Sequence, residues 1–304
     1  MIKVEGLTKT YGGFTAVDDV DFVCQPGTVT GFLGPNGAGK TTTMRIMVGL
    51  TPASRGRVTI GGHHYKDIPN PGRHVGVLLD ASAQHAGRTG REVLTVGART
   101  MGLPDSRVDE MLELVSLDAK ESKRRVRNYS LGMRQRLGIA HALLGEPSVL
   151  ILDEPANGLD PAGIRWMRGL LKEYAERGGT VLLSSHLLHE VEIIADEMIL
   201  IGRGRIVARG DKKSLLAGAG TTATFVTALD NEALAAGLKD KGFAVSSAGE
   251  GLRVETEPVE VGRVAADRSL VLTDLRAAEE GLEDLFLSLT SDSQRDHLTE
   301  GPAA

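Results

Sequence analysis

The sequence holds a single cysteine, Cys24, so no disulfide can form within the chain. Cys24 lies in an apolar strand pattern and reads as a buried core thiol. Long hydrophobic runs are missing too, for none reaches the ~18 residues that a membrane helix needs. The opening Met1-Ile2-Lys3-Val4-Glu5 reads as a strand and not as a secretory signal. Basic excess is absent. The formal net charge of −5 implies no strong field for nucleic acid, and no nucleic-acid partner is expected. Tryptophan occurs once, as Trp166, on a helical pattern where a packing role is expected. These absences leave a cytosolic globular protein that acts at a membrane only through a partner. With 304 residues, 41% of them hydrophobic, the chain is long enough for one large domain and a small one.

Against that background stands Gly34-Pro35-Asn36-Gly37-Ala38-Gly39-Lys40-Thr41, followed by Thr42. It fits the pattern of glycine, four residues, then Gly-Lys-Thr. Val29-Thr30-Gly31-Phe32-Leu33 before it reads as a short buried strand. Thr42 to Leu50 after it reads as a helix with Met44, Met47 and Val48 on one face. Phosphate chemistry needs this order. Glycines let successive backbone N–H groups point into one concavity, and the helix adds its positive end. Lys40 then reaches the β- and γ-phosphates, and the Thr41 hydroxyl ligates Mg²⁺. The loop specifies nucleoside triphosphate binding without specifying what the energy drives.

Further residues fit the same chemistry. Val149-Leu150-Ile151-Leu152 is a continuous apolar strand ending in Asp153-Glu154. An aspartate at such a strand end holds Mg²⁺, and a glutamate beside it is placed to deprotonate an attacking water. Thr180 to Ser185 is another strand, with His186 at its end, where a side chain can reach a γ-phosphate. Tyr11, ahead of Gly12-Gly13, either packs at a strand end or offers a flat face to a nucleobase. Ser130 is a natural N-cap for a helix with Met133, Leu137, Ala140 and Leu144 at helical spacing.

Buried strands alternate with helices, which argues an α/β core. Gly56 to Gly62 reads as a hairpin arm, and Val75 to Leu79 as a buried strand ending at Asp80. Residues 88–147 are mainly helical. From Gly210 to Thr222 the composition shifts to Gly, Ala, Ser and Lys, which places a linker at 213–222. Residues 223–290 read as a separate small domain. Its last helix carries an amphipathic stripe of Leu282, Leu285, Phe286 and Leu289. The polar residues 291–304 are expected to be disordered.

Taken together, these pieces resemble the ATP-binding subunit of ABC transporters, from Ile2 to about Gly210, with seven motifs in that family's order. Tyr11 is similar to the aromatic loop that stacks on adenine. Gly34 to Thr41 resemble the Walker A loop, and Val149 to Glu154 the Walker B strand. Asn157-Gly158-Leu159-Asp160 resemble the D-loop, and His186 the switch histidine. The signature motif departs from the usual Leu-Ser-Gly-Gly-Gln. Here Tyr129-Ser130-Leu131-Gly132-Met133 keeps the serine and the second glycine, the groups expected to face a γ-phosphate. The family's glutamine after the Val75 strand is replaced by Asp80, a candidate Mg²⁺ ligand, with Gln84 nearby. This variant signature and Gly281-Leu282-Glu283-Asp284-Leu285-Phe286 look like the daunorubicin-resistance type of bacterial exporter.

The resemblance implies an α/β fold: a P-loop NTPase core of ABC type with an antiparallel β subdomain and a helical subdomain. A small C-terminal α+β domain is added to it here. The ATP-binding domain is expected over 1–212, with its helical subdomain at about 88–147. ATP and Mg²⁺ are the implied cofactors. Gly34, Pro35, Asn36, Gly37, Ala38, Gly39, Lys40, Thr41 and Thr42 would hold the phosphates, and Thr41 and Asp153 the metal. Glu154, His186 and Lys40 would catalyse hydrolysis. Two copies would sandwich two ATP molecules, with Ser130 and Gly132 of one copy facing the nucleotide of the other. A separate polytopic permease would place the subunit at the inner face of the membrane and carry a drug, antibiotic or lipid-like compound. Two alternatives are a soluble ABC-type ATPase and a weakly hydrolysing nucleotide-dependent regulator. A chain with one such domain and mildly acidic charge disfavours the first; intact Asp153, Glu154 and His186 disfavour the second.

Overall fold

The computed structural model describes residues 1–186, 188–218 and 223–278. Two compact units divide them, one over Met1–Lys212 and one beginning at Lys213. The first unit opens with β1 (Ile2–Tyr11), β2 (Phe14–Cys24), β3 (Val29–Leu33), α1 (Lys40–Met47), β4 (Arg55–Ile60) and β5 (Val75–Leu78). It continues through α2 (Gly90–Met101), α3 (Ser106–Leu114), α4 (Leu131–Leu143), β6 (Val149–Leu152) and α5 (Pro161–Glu176). It closes with β7 (Thr180–Ser185), α6 (Leu188–Glu192), β8 (Glu197–Gly202) and β9 (Arg205–Gly210).

Two sheets organise this unit. A six-stranded sheet has the order β5-β6-β7-β3-β8-β9, parallel up to β8, with β9 antiparallel at the edge. Every residue of β3, β6 and β7 is buried. That is why β6 reads as an unbroken apolar run, and β3 and β7 as mainly apolar ones, since parallel strands are covered on both faces. The second sheet is antiparallel, in the order β2-β1-β4. Its inner face shares one core with the large sheet and α1, where the Phe22 and Phe32 rings lie 5.4 Å apart. Each such fully buried side chain contributes roughly 1.5–3 kcal/mol relative to exposure. Cys24 lies in this core, and burial pushes its thiol up to about 12, so it is an inert packing group. The stretch expected as a hairpin arm is β4, but its partner is β1 rather than a neighbouring strand. The chain returns to the first sheet after building the phosphate loop.

The helical part is built from local signals. The Thr89 side chain accepts from the Glu92 N–H while Glu92 accepts from the Thr89 N–H, which starts α2 with a reciprocal cap. Ser130 accepts from the Met133 N–H and starts α4; Asp160 accepts from the Gly163 N–H and starts α5. Trp166 packs on α5 beneath the Arg136 guanidinium, 5.1 Å from its ring centre.

In the stretch 213–222, expected as a linker, the described residues are helical: α7 runs over Lys212–Gly218. Leu215 is buried there, and Lys, Leu and Ala are strong helix formers, which outweighs the glycine content. The second unit then contains β10 (Ala223–Ala228), α8 (Asn231–Asp240), β11 (Val245–Ala248), β12 (Gly251–Val254), α9 (Pro258–Asp267) and β13 (Leu272–Ala278). Its sheet is antiparallel in the order β11-β12-β10-β13. Leu234, Leu238, Val261 and Val264 of the helices pack on Val226, Leu252 and Val254 of the strands. This is a split β-α-β arrangement with its own core. The stripe at Leu282, Leu285, Phe286 and Leu289 and the tail 291–304 lie outside the described residues. Among the described residues no helix is long and apolar enough to cross a membrane.

Candidate nucleotide site

The loop after β3, an interior strand of the large sheet, leads into α1. Gly39 sits at φ +107°, and a Cβ there would lie 2.5 Å from the Ala16 carbonyl oxygen. Only glycine fits this close approach in this conformation. No side chain caps α1, and its first turn carries no acid. The positive end of the helix is therefore left for an anion.

Lys40 is only 6% exposed. Its Nζ donates to the carbonyls of Gly34 at 2.5 Å and Pro35 at 3.3 Å, and lies 3.9 Å from Glu154 Oε1. Burial lowers its pKa, and the charges of Glu154 and Asp153 partly oppose that shift. Thr41 Oγ1 donates to Asp153 Oδ2 at 2.6 Å. The other oxygen of Asp153 accepts from the buried Ser184 hydroxyl, which in turn accepts from the Glu154 N–H at 3.0 Å. His186 Nδ1 lies 2.8 Å from Glu154 Oε2, with the histidine side chain half exposed. Strand ends β6 and β7 thus bring Asp153, Glu154, Ser184 and His186 against the loop from β3.

A hollow of about 380 Å³ lies in front of this group. Pro35, Asn36, Gly37, Gly39, Lys40, Thr41, Thr42 and Glu154 line it, together with Tyr11, Phe14 and Ala16. Gly34 and Ala38 shape the loop from behind, where Ala38 is buried. Tyr11 pairs with Phe14 across the β1–β2 turn, and both rings are exposed. The Lys9 ammonium lies 4.7 Å from the Tyr11 ring centre.

The structure does not gather every expected residue. Ser130 and Gly132 do not line this hollow; they lie at the start of α4. Asp80 is also apart from it. Its Oδ1 accepts from the Ser82 N–H at 2.7 Å and the Ser82 hydroxyl at 2.6 Å, and these bonds hold its carboxyl below the usual range. Gln84 lines a separate hollow of about 240 Å³ with His85, Arg88 and Val96. Conversely, sequence reasoning passed over Phe14, which lines the hollow, and Ser184, which holds Asp153 and the Glu154 N–H. Phe14 had a signal in being aromatic directly after the Gly12-Gly13 turn. Ser184 had one in being polar inside an apolar strand.

The donor set suits a small hard cation. A hydroxyl and a carboxylate held together offer oxygen ligands, the kind Mg²⁺ takes alongside phosphate oxygens. Among the described residues no group of three or more His, Cys, Asp or Glu is placed to hold a metal. A cation here would need the phosphates of its nucleotide to complete its shell.

A glycine loop between a central strand and a helix, faced by two strand-end carboxylates, defines a P-loop nucleoside triphosphatase. Comparison with known proteins narrows this. The family model for ABC transporters matches residues 17–157. An uncharacterized ABC transporter ATP-binding protein of Bacillus subtilis, YhcH, is 37% identical over 300 residues, covering 97% of this chain and 98% of that protein. The bacitracin transport ATP-binding protein BcrA of Bacillus licheniformis is 43% identical over 210 residues, 68% of each chain. Among solved structures, an ATP-binding subunit of an ABC transporter superposes with a TM-score of 0.67 at 29% identity, covering 72% of this chain and 93% of that one. The chain belongs to the ATP-binding proteins of the ABC transporter family. Its chemistry is ATP binding and hydrolysis in the service of transport.

Proposed function

We propose that this subunit powers export of an antibiotic-like compound through a separate permease, in the manner of the daunorubicin-resistance type. The relative named for bacitracin transport supports the cargo class. The observation that carries the two-subunit reading is the position of Ser130 and Gly132 outside their own chain's hollow. Lys40 would neutralise the β- and γ-phosphates, and Thr41 and Asp153 would hold Mg²⁺, which supplies charge neutralisation across them. Glu154 would take the proton of the attacking water, with His186 orienting the carboxylate. Ser130 and Gly132 of the second copy would close over the γ-phosphate, so ATP would clamp a homodimer and its hydrolysis would release it. The permease would grip the region from Asp80 to Arg91 at the inner face of the membrane. The Glu154–His186 contact favours this reading over a regulator with little hydrolysis.

The decisive experiment is affinity purification of the tagged chain from gently solubilised membranes of its host. A polytopic membrane protein at matching stoichiometry is the expected result. Recovery of soluble partners alone, or of ribosomes, would replace the transporter reading with a soluble ATPase.

The two aromatic rings make a separate prediction. Stacking on an aromatic ring is worth about 1–3 kcal/mol per base. Tyr11→Ala raises KM for ATP by about tenfold and Phe14→Ala by severalfold, with kcat unchanged. Steady-state kinetics over a range of ATP concentrations checks both. An unchanged KM in Phe14→Ala would remove that residue from the nucleotide site.

A further inference from the structure

Glu154 adopts φ +49°, a conformation that L-residues rarely take. Such a backbone persists only where its neighbours over-determine it. Three hydrogen bonds do so here. The Glu154 N–H donates to Ser184 Oγ at 3.0 Å. Its carbonyl accepts from the Asn157 N–H at 3.1 Å and from Gln135 Nε2 at 3.0 Å. Asn157 is local to the turn, and Ser184 lies on a strand next to β6 in the sheet. Gln135 comes from α4, the helix whose first turn carries Gly132 behind the cap Ser130. Gln135 is 3% exposed, so its bond to Glu154 is shielded from competing water.

The same helix meets this turn at a second point and meets α5 beyond it at a third. A Cβ on Gly132 would lie 2.7 Å from the Gly158 carbonyl oxygen, so the two backbones are in contact. Arg136 covers Trp166 of α5. Helix α4 and the turn that starts at Glu154 are therefore joined as one piece, and Gln135 is the join at the glutamate.

We propose that Gln135 is a positioning residue for ATP hydrolysis, passing the placement of Ser130 and Gly132 to the Glu154 carboxylate of the same subunit. The inference rests on the reading above, in which Glu154 is the base and Ser130 faces the partner subunit's nucleotide. When that nucleotide draws α4 toward it, Gln135 carries the Glu154 carbonyl along. The peptide turns, and the carboxylate changes its place relative to Lys40 and His186. ATP bound by one subunit thereby sets the base in the other, and the two sites fire together. Gln135 itself touches no reacting atom.

The test uses the full-length chain with Mg²⁺, measuring ATP affinity, kcat and the Hill coefficient. Gln135→Met keeps the length of the side chain and removes the donor. It is expected to bind ATP within about twofold of wild type, to lose kcat by ten- to a hundredfold, roughly the effect of a misplaced group, and to show a Hill coefficient near one. Gln135→Glu, which presents an acceptor to the carbonyl, gives the same result and stands in if the methionine variant does not fold. A double-mutant cycle with Ser130→Ala separates coupling from packing: the serine substitution costs less kcat without Gln135 than with it. Equal cost in both backgrounds overturns the coupling. Wild-type kcat and Hill coefficient in Gln135→Met and Gln135→Glu, while Glu154→Gln is inactive, overturn the inference and leave the base assignment standing. Normal turnover in Glu154→Gln overturns both.

Discussion

Glu154→Gln is expected to bind ATP with near wild-type affinity and to hydrolyse it at least about a hundredfold more slowly, since a positioned general base contributes about 10²–10⁴ in rate. The substitution keeps size and shape, so the turn held by Ser184, Asn157 and Gln135 survives. What it removes is the basic oxygen beside His186 and the negative charge 3.9 Å from Lys40. Loss of that charge leaves the lysine freer to serve the phosphates, so binding does not suffer. Nucleotide affinity and single-turnover hydrolysis, measured on the same preparation, check the prediction. Near-normal hydrolysis would sink the assignment of Glu154 as base.

Lys40→Ala has the opposite signature: affinity is lost first. A hydrogen bond to a charged group is worth about 1.5–3 kcal/mol, so Kd for ATP rises by at least about tenfold. The variant also frees the Gly34 and Pro35 carbonyls that Lys40 holds, at a cost of about 1–2 kcal/mol in stability. A melting curve recorded beside the binding titration separates the two effects. Unchanged ATP affinity in a folded Lys40→Ala protein would mean that this loop is not the nucleotide site.

Much of this machinery could be read from the sequence because its chemistry is contiguous. Gly34 to Thr41 form one loop, and Asp153-Glu154 follow one apolar strand, so local pattern and spacing suffice. The resemblance to ABC transporter subunits rested on those same short stretches and is upheld by relatives that span the whole chain. What stayed illegible depends on long-range contact. Nothing in the sequence around Gln135 says that its amide meets the carbonyl of Glu154, because that contact crosses from a helix to a strand end. Phe14 follows the Gly12-Gly13 turn, but only the strand register places it opposite Tyr11. Asp80 stood where the family has glutamine, yet its carboxylate is engaged by Ser82, two residues on, a local bond that composition does not reveal. That α7 forms within the stretch expected as a linker was not legible from its glycine and alanine content, because Leu215 is buried there.

The strand order has a consequence for how this protein is made. Phe32 of β3 pairs with Ser184 of β7 and Ile199 of β8, so the strand that launches the phosphate loop has no neighbour from its own half of the chain. Thr41 and Asp153 stand 112 residues apart in sequence. A ribosome adding about 5–20 residues per second needs on the order of ten seconds to bridge such a gap. For at least that interval Val29, Phe32 and Leu33 of β3 are outside the exit tunnel before either neighbouring strand exists. Parallel pairing of this range costs loop-closure entropy before it returns any contact energy. The loop is therefore synthesised early and assembled late, and a nascent chain that ends before β7 is blind to ATP. Apolar surface exposed in that window is the kind that holdase chaperones cover.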